Sequence, residues 1–184
     1  MLDLFKPELP DSIYLDDGSS FIIQTSFRYW ILFYRFCRMH AKLTDFLIMF
    51  PYEKPGPEQL QEAFDKLMLF ANPPKEVPRS SNQESTELIL DYDIDADYIY
   101  AAFMEQYHIN LMDVSLKLHW YEFSALLSSL HDCKLSDIIG YRCYQPNNKL
   151  SYEKQMKQLK EAWKIESEEK RIDKDLEYFN SLFE

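Results

Sequence analysis

Apolar residues recur along this chain mainly at three- and four-residue steps, the spacing of a helix with one buried stripe. The exception comes first. Ser12 to Tyr14 and Phe21 to Gln24 flank LDDGSS, and Asp17-Gly18 between β-prone runs signals a hairpin over residues 12–24. Ser26 is a candidate N-cap for FRYWILFYRFCRM, where Phe27, Trp30, Ile31, Tyr34 and Cys37 keep helical spacing. Leu32, Phe33 and Phe36 make its other sides apolar, so more than one neighbour has to cover it. This first helix is therefore expected at the centre of the fold or at an interface.

Pro57 suits the first turn of a second helix, with Leu60, Ala63, Phe64, Leu67 and Met68 on one stripe and Asn72-Pro73-Pro74 at its end. The polar, proline-bearing stretch that follows has no period, and residues 73–90 are expected to form a mobile loop. In DADYIYAAFMEQY, Tyr98, Ile99, Ala102, Phe103 and Tyr107 recur at helical spacing, with Asp93 to Asp97 near the helix N-terminus, where the macrodipole favours acids. Leu116, Trp120, Phe123, Leu127 and Leu130 mark the next helix as a continuous buried seam. A short helix from about Leu135 is expected to stop at Gly140 as C-cap.

Tyr152, Met156, Leu159 and Trp163 form one further stripe, and Ile172, Leu176, Phe179 and Phe183 form another with the same spacing but a different phase. One straight helix cannot present both stripes to one surface, so a bend or break is expected between Ile165 and Glu169. The pattern as a whole predicts a mainly α fold. A single multi-helix domain spans residues 1–163 with a small N-terminal β-hairpin, and residues 164–184 form an amphipathic helical arm. Such an arm suits docking on a neighbouring protein or lying on its own domain.

Composition narrows the function. Of 184 residues, 46% are apolar and 16% aromatic, enough for a core without metal or disulfide staples. A net charge of −11 repels phosphate backbones and anionic lipid, which argues against nucleic-acid and membrane partners and favours solubility or a basic protein partner. The start, MLDLFKPELP, lacks the pattern of a signal peptide, and the longest apolar run falls far short of the roughly 20 residues that span a bilayer. Cys37, Cys133 and Cys143 form no CxxC and suit buried, inert thiols in a reducing cytosol.

Three constellations carry candidate chemistry. Asp91, Asp93, Asp95 and Asp97 alternate like an EF-hand loop, but Ala96 or Tyr98 falls where the turn glycine belongs, and Ala102 or Met104 where the bidentate glutamate belongs. Helix capping is the better reading. His119, His131, Cys133 and Cys143 lack a second close ligand pair, so no zinc site is expected. His119 and Glu122 stand one helical turn apart and form the best acid–base candidate, set against a reading in which Trp120 and Phe123 are core and His119 lies at the core's edge. Arg142, after a helix end, reads as a carbonyl cap or ion-pair partner.

The order DxDADYIYAAFxxQYxINL, then LHWYEFSALLSSL, then LSDIIGYR, over residues 93–142, resembles a family of small proteins encoded in the tail-gene cluster of long-tailed bacteriophages and prophages of Gram-positive bacteria, usually just before the tape-measure protein. SIYLDDGSSFIIQTSFR and the helix with Ala63 and Phe64 fit the same layout, so the resemblance extends to about Trp163. Tyr121 replaces a second tryptophan of the pattern, and His108 and Asn110 stand where glycine and aspartate are commoner.

The resemblance implies a non-enzymatic tail assembly factor of the host cytoplasm, without cofactor or metal. Its expected role is that of a chaperone holding the tape-measure protein while tail tube polymerises around it, with other tail proteins or further copies of the chain as additional partners. A structural tail-completion component of the virion is the alternative, and a hydrolase using His119 and Glu122 a third. Tyr29, Phe33 and Phe36 on the first helix and Ile172, Leu176 and Phe179 on the arm are the expected contact residues; Trp120, Phe123, Leu127 and Arg142 are expected as signature and core.

Overall fold

A computed structural model describes residues 5, 8–39, 42–72, 88–146 and 152–165. Strands β1 (Ser12–Tyr14) and β2 (Ser20–Ile22) pair antiparallel, with Ile13 opposite Phe21. Ile13, Leu15, Phe21 and Ile23 are buried while Tyr14 and Ile22 are exposed, the alternation a pleated strand imposes. The turn is where Asp17-Gly18 placed it: Gly18 has φ +87°, a region glycine enters without cost, and Asp17 Oδ1 accepts from Ser19 N at 2.8 Å.

Six α-helices and one 3-10 helix follow among the described residues. They are α1 (Phe27–Arg38), the 3-10 helix (Leu43–Met49), α2 (Leu60–Ala71), α3 (Ala96–Tyr107), α4 (Trp120–Ser128), α5 (Lys134–Cys143) and α6 (Glu153–Trp163). The protein is thus mainly helical with one N-terminal hairpin. Its contacts gather into two units, Met1–Asn82 with Met112–Ser129 and Gln83–Leu111 with Leu130–Glu184.

In the first unit the hairpin, α1, the 3-10 helix, α2 and α4 enclose a core of rings. Trp30 stacks on Phe70 (5.0 Å between centroids) and Trp120 (6.0 Å) and meets Phe33 edge-on (5.4 Å); Phe33 reaches Phe64 (5.7 Å), and Phe27 stacks on Phe123 (4.9 Å). Each such pair adds about 0.5–1.5 kcal/mol beyond burial alone. The two indole N–H groups, which would be costly to bury unpaired, donate to Gln24 O (2.8 Å) and Ala71 O (3.0 Å). The hairpin turn is tied to the start of α2, where Gln59 Nε2 donates to Asp17 Oδ2 (2.7 Å), Glu62 Oε1 accepts from Asp16 N (2.6 Å) and Lys66 pairs with Asp16 (2.8 Å).

Three helix boundaries differ from the sequence expectation, and a fourth stands where expected but is capped by other means. Ser26 occupies the N-cap of α1, but its side chain makes no cap; the Phe27 N–H instead donates to Leu118 O across a bridge of Ser26 with His119, and Trp120 N returns a bond to Thr25 O at 2.7 Å. Two helix N-termini thereby satisfy each other's backbone groups. Pro57 lies in a turn before α2 rather than in its first turn. α4 begins at Trp120, not near Leu116, so Trp120 and Phe123 are buried whereas Leu116, Leu127 and Leu130 are half-buried and the seam is not continuous. Gly140 lies inside α5, which runs on to Cys143 because Arg142 is drawn into the second unit.

That second unit comprises α3, α5 and α6. Ile99, Ala102, Phe103, Leu135 and Ile138 form its apolar core. On α6, Met156, Leu159 and Trp163 are half-buried and Tyr152 is exposed, and no residue of this helix is fully buried. The Trp163 ring is met edge-on by Tyr98 (5.8 Å) and capped by Lys134 Nζ at 5.0 Å. α6 ends at Trp163, with Lys164 extended, just before the expected break. The arm proper, 166–184, and most of the expected loop, 73–87, lie outside the described residues.

Candidate functional site

His119 and Glu122 do come together, but as a helix cap. His119 is the N-cap of α4: its Nδ1 accepts from Tyr121 N (3.0 Å), its Nε2 lies 3.0 Å from Pro10 O, and Glu122 Oε2 accepts from His119 N (2.9 Å). This is a capping box with histidine in the place usually taken by Ser or Thr. The geometry requires the neutral tautomer with its proton on Nε2, donating to Pro10 O. Burial holds the imidazole below its ordinary pKa, outweighing the raising effects of the Pro10 carbonyl and of Glu122. Trp120 beside it is closed against Ala71 and Trp30. Both ring nitrogens and a carboxylate oxygen therefore serve backbone groups, and the pair is not set out as an acid–base dyad. Tyr121 stacks on Phe70 (4.8 Å), and burial pushes its phenol up to about 12.

Arg142 is the hub of the second unit. Its two terminal nitrogens bind Asp95 in a fork, Nη1 to Oδ2 at 2.7 Å and Nη2 to Oδ1 at 2.9 Å; Nη1 also donates to Ile89 O (3.0 Å) and Nε to Trp163 O (2.7 Å). One side chain thus joins the start of α3, the segment before it, α5 and the end of α6. The side chains of Arg142 and Asp95 are 5% and 1% exposed, so each charge depends on the other. Arg142 is the ion-pair and carbonyl partner the sequence indicated. Asp95 is different: it stands at the N-cap of α3 but makes no side-chain cap there, since its carboxylate faces Arg142. No local pattern could have revealed a partner 47 residues away.

The other acids of that stretch have separate tasks. Asp91 Oδ1 accepts from Asp93 N (2.8 Å) and Ile94 N (3.0 Å) and closes the turn into α3, while Asp93 and Asp97 are exposed. Cys133 and Cys143 stand at opposite ends of α5, about 15 Å apart by helical rise, too far to share a metal. Among the described residues no group of three His, Cys, Asp or Glu side chains could hold a metal ion. The thiols are not uniformly buried: Cys133 is, Cys37 is half-buried with its pKa raised by burial, and Cys143 is exposed.

The expected contact residues separate. Phe33 is 0% exposed and packs on Trp30, Tyr34 and Phe64, so it belongs to the core and cannot serve as a docking residue. Tyr29 and Phe36 are half-buried on the flanks of α1. Ile172, Leu176 and Phe179 lie outside the described residues. A surface the sequence reading did not single out is the outward side of α3. Asp97, Ala101, Met104 and Glu105, at steps of four, three and one, are exposed opposite the buried Ile99, Ala102 and Phe103. No helix among the described residues is long and apolar enough to cross a membrane.

No curated protein and no solved structure matches the chain significantly. A family model does: that of a family described as bacteriophage Gp15 protein, over residues 6–165, which covers most of both units and leaves out nearly all of the expected arm. The chain belongs to this bacteriophage protein family.

Proposed function

We propose that this chain is a non-enzymatic phage tail assembly factor, a chaperone that binds the tape-measure protein in the host cytoplasm while the tail is built. The observation that carries the reading is the match to a phage family across residues 6–165. The use of His119 and Glu122 as a cap supports it from the other side, because the best acid–base pair of the sequence is already occupied by backbone groups. A binding role asks for stable helical surfaces and a charged, soluble exterior, and a net charge of −11 fits the second of these.

Co-expression with the tape-measure protein of the same phage tests this. The tape-measure protein is expected to become soluble and to co-purify with the chain, and finished virions are expected to lack the chain by mass spectrometry. Failure to solubilise or co-purify overturns the chaperone role. A fixed copy number in virions points instead to a structural tail-completion component.

A further inference from the structure

From Leu88 to Leu111 the chain carries five carboxylates, Asp91, Asp93, Asp95, Asp97 and Glu105, and no lysine or arginine. Asp95 is neutralised by Arg142 and Asp91 is buried in its turn, while Asp97 and Glu105 are exposed on α3 itself. Alongside them Ala101 and Met104 (38% exposed), three residues apart on the helix, form a short apolar line, preceded by the exposed Ile94 (37%) in the turn before α3. Ala101 leaves a shallow place at the middle of the line, where another helix can approach closely, and Met104 is a side chain that adapts its shape to a partner. The inner face of α3 is fixed by Phe103 and Ala102, both 0% exposed, and its first turn by Asp95 and Arg142, so the outer face is a rigid platform.

We propose that this face of α3 docks an amphipathic helix of a partner protein whose apolar seam is flanked by Lys and Arg. The charge pattern selects that occupant. An apolar line flanked by Asp97 and Glu105 on its own helix favours a seam bordered by cations and disfavours one bordered by acids. A second copy of the chain is a poor fit, because its own α3 would bring the same carboxylates. Its lysine-bearing α6 has its apolar stripe, Met156, Leu159 and Trp163, already half-buried. The inference rests on the proposed role in binding a helical tail protein and names the part of that protein that is held.

The test uses the full-length chain and two synthetic helical peptides with the same leucine seam, one flanked by lysines and one by glutamates, read by fluorescence anisotropy. The lysine peptide is expected to bind roughly tenfold more tightly, with the advantage falling as salt rises. The variant Ala101→Glu/Met104→Glu is more acidic, so general attraction would strengthen, whereas docking on this face would be lost. Equal or tighter binding by that variant overturns the proposal. Asp97→Asn/Glu105→Gln, with a milder effect on folding, is expected to lower the lysine peptide's affinity severalfold while leaving the circular dichroism spectrum unchanged; unchanged affinity also overturns it. Self-association that Ala101→Glu/Met104→Glu abolishes would make the face a contact between copies and overturn the assignment of the occupant. If the acidic variant still solubilises the tape-measure protein, the surface is wrong and the chaperone role stands; if the unaltered chain fails to do so, the role itself falls.

Discussion

The two units are held together by opposite means. The first is closed by rings: Trp30, Phe33, Phe70, Trp120 and Phe123 form a chain of ring contacts, and its polar groups take up the two indole N–H groups, cap α4 and tie the hairpin turn to α2. The second has a smaller apolar core gathered around one buried ion pair, Asp95 with Arg142, which also collects two carbonyls. Ring packing distributes stability over many contacts, so a single loss is graded but cannot be repaired elsewhere. A buried ion pair concentrates it, so losing one partner leaves the other as an uncompensated charge, and removing both need cost little.

Two substitutions of similar size break this comparison most sharply. Trp30→Ala should cost about 3–5 kcal/mol through the cavity it leaves, read by denaturant unfolding, with loss of hydrogen-exchange protection in α1, α2 and α4. Arg142→Met should cost about 3–5 kcal/mol, with protection lost first in α3 and α5. The rescue separates them: adding Asp95→Leu to Arg142→Met should recover most of the loss. No recovery would mean that the pair acts through its carbonyl bonds to Ile89 and Trp163 rather than through charge.

A smaller effect belongs to His119. Because its folded-state pKa is lowered from the ordinary 6.5, the cap stabilises the first unit fully above that value and loses strength as pH falls through and below it. Protonation removes the Nδ1 acceptor that holds Tyr121 N. His119→Ala should cost about 1 kcal/mol at neutral pH, the usual worth of an N-cap. His119→Asn, which can cap without titrating, should flatten the fall in stability between neutral and mildly acidic pH. An equal fall in both proteins would locate the titration elsewhere.

The smallest effect is a gain in the second unit. His108 ends α3 in the left-handed region, φ +56°, with Ile109 N bonded back to Phe103 O. This is a position that suits glycine. His108→Gly should stabilise by about 0.5–1 kcal/mol in thermal unfolding, the strain removed exceeding the entropy lost.

What the sequence revealed follows from the range of each interaction. The hairpin was legible because Asp17-Gly18 and the alternating residues around it act locally, and α2, α3 and α6 because a single stripe fixes a helix. α1 is apolar on nearly every side, so periodicity could not tell which face its own unit covers, and Phe33 was placed outside instead of in the core. Gly140 resembled a stop signal only because Arg142's partner lies 47 residues away. Ser26 does stand at the N-cap of α1, but that Phe27 N is satisfied by the backbone of Leu118 rather than by the serine hydroxyl has no sequence signature at all. The 3-10 helix Leu43–Met49 escaped because its apolar run shows no helical stripe. At the candidate site, the one available signal was an absence, the lack of any Lys or Arg between Leu88 and Leu111.

Co-expression of the full chain with the tape-measure protein proposed as its partner, followed by size-exclusion chromatography with mass measurement, tests the central claim of a binding rather than a catalytic role most directly. The predicted result is a soluble complex of the two proteins. A tape-measure protein that stays insoluble, or elutes apart from the chain, would contradict it.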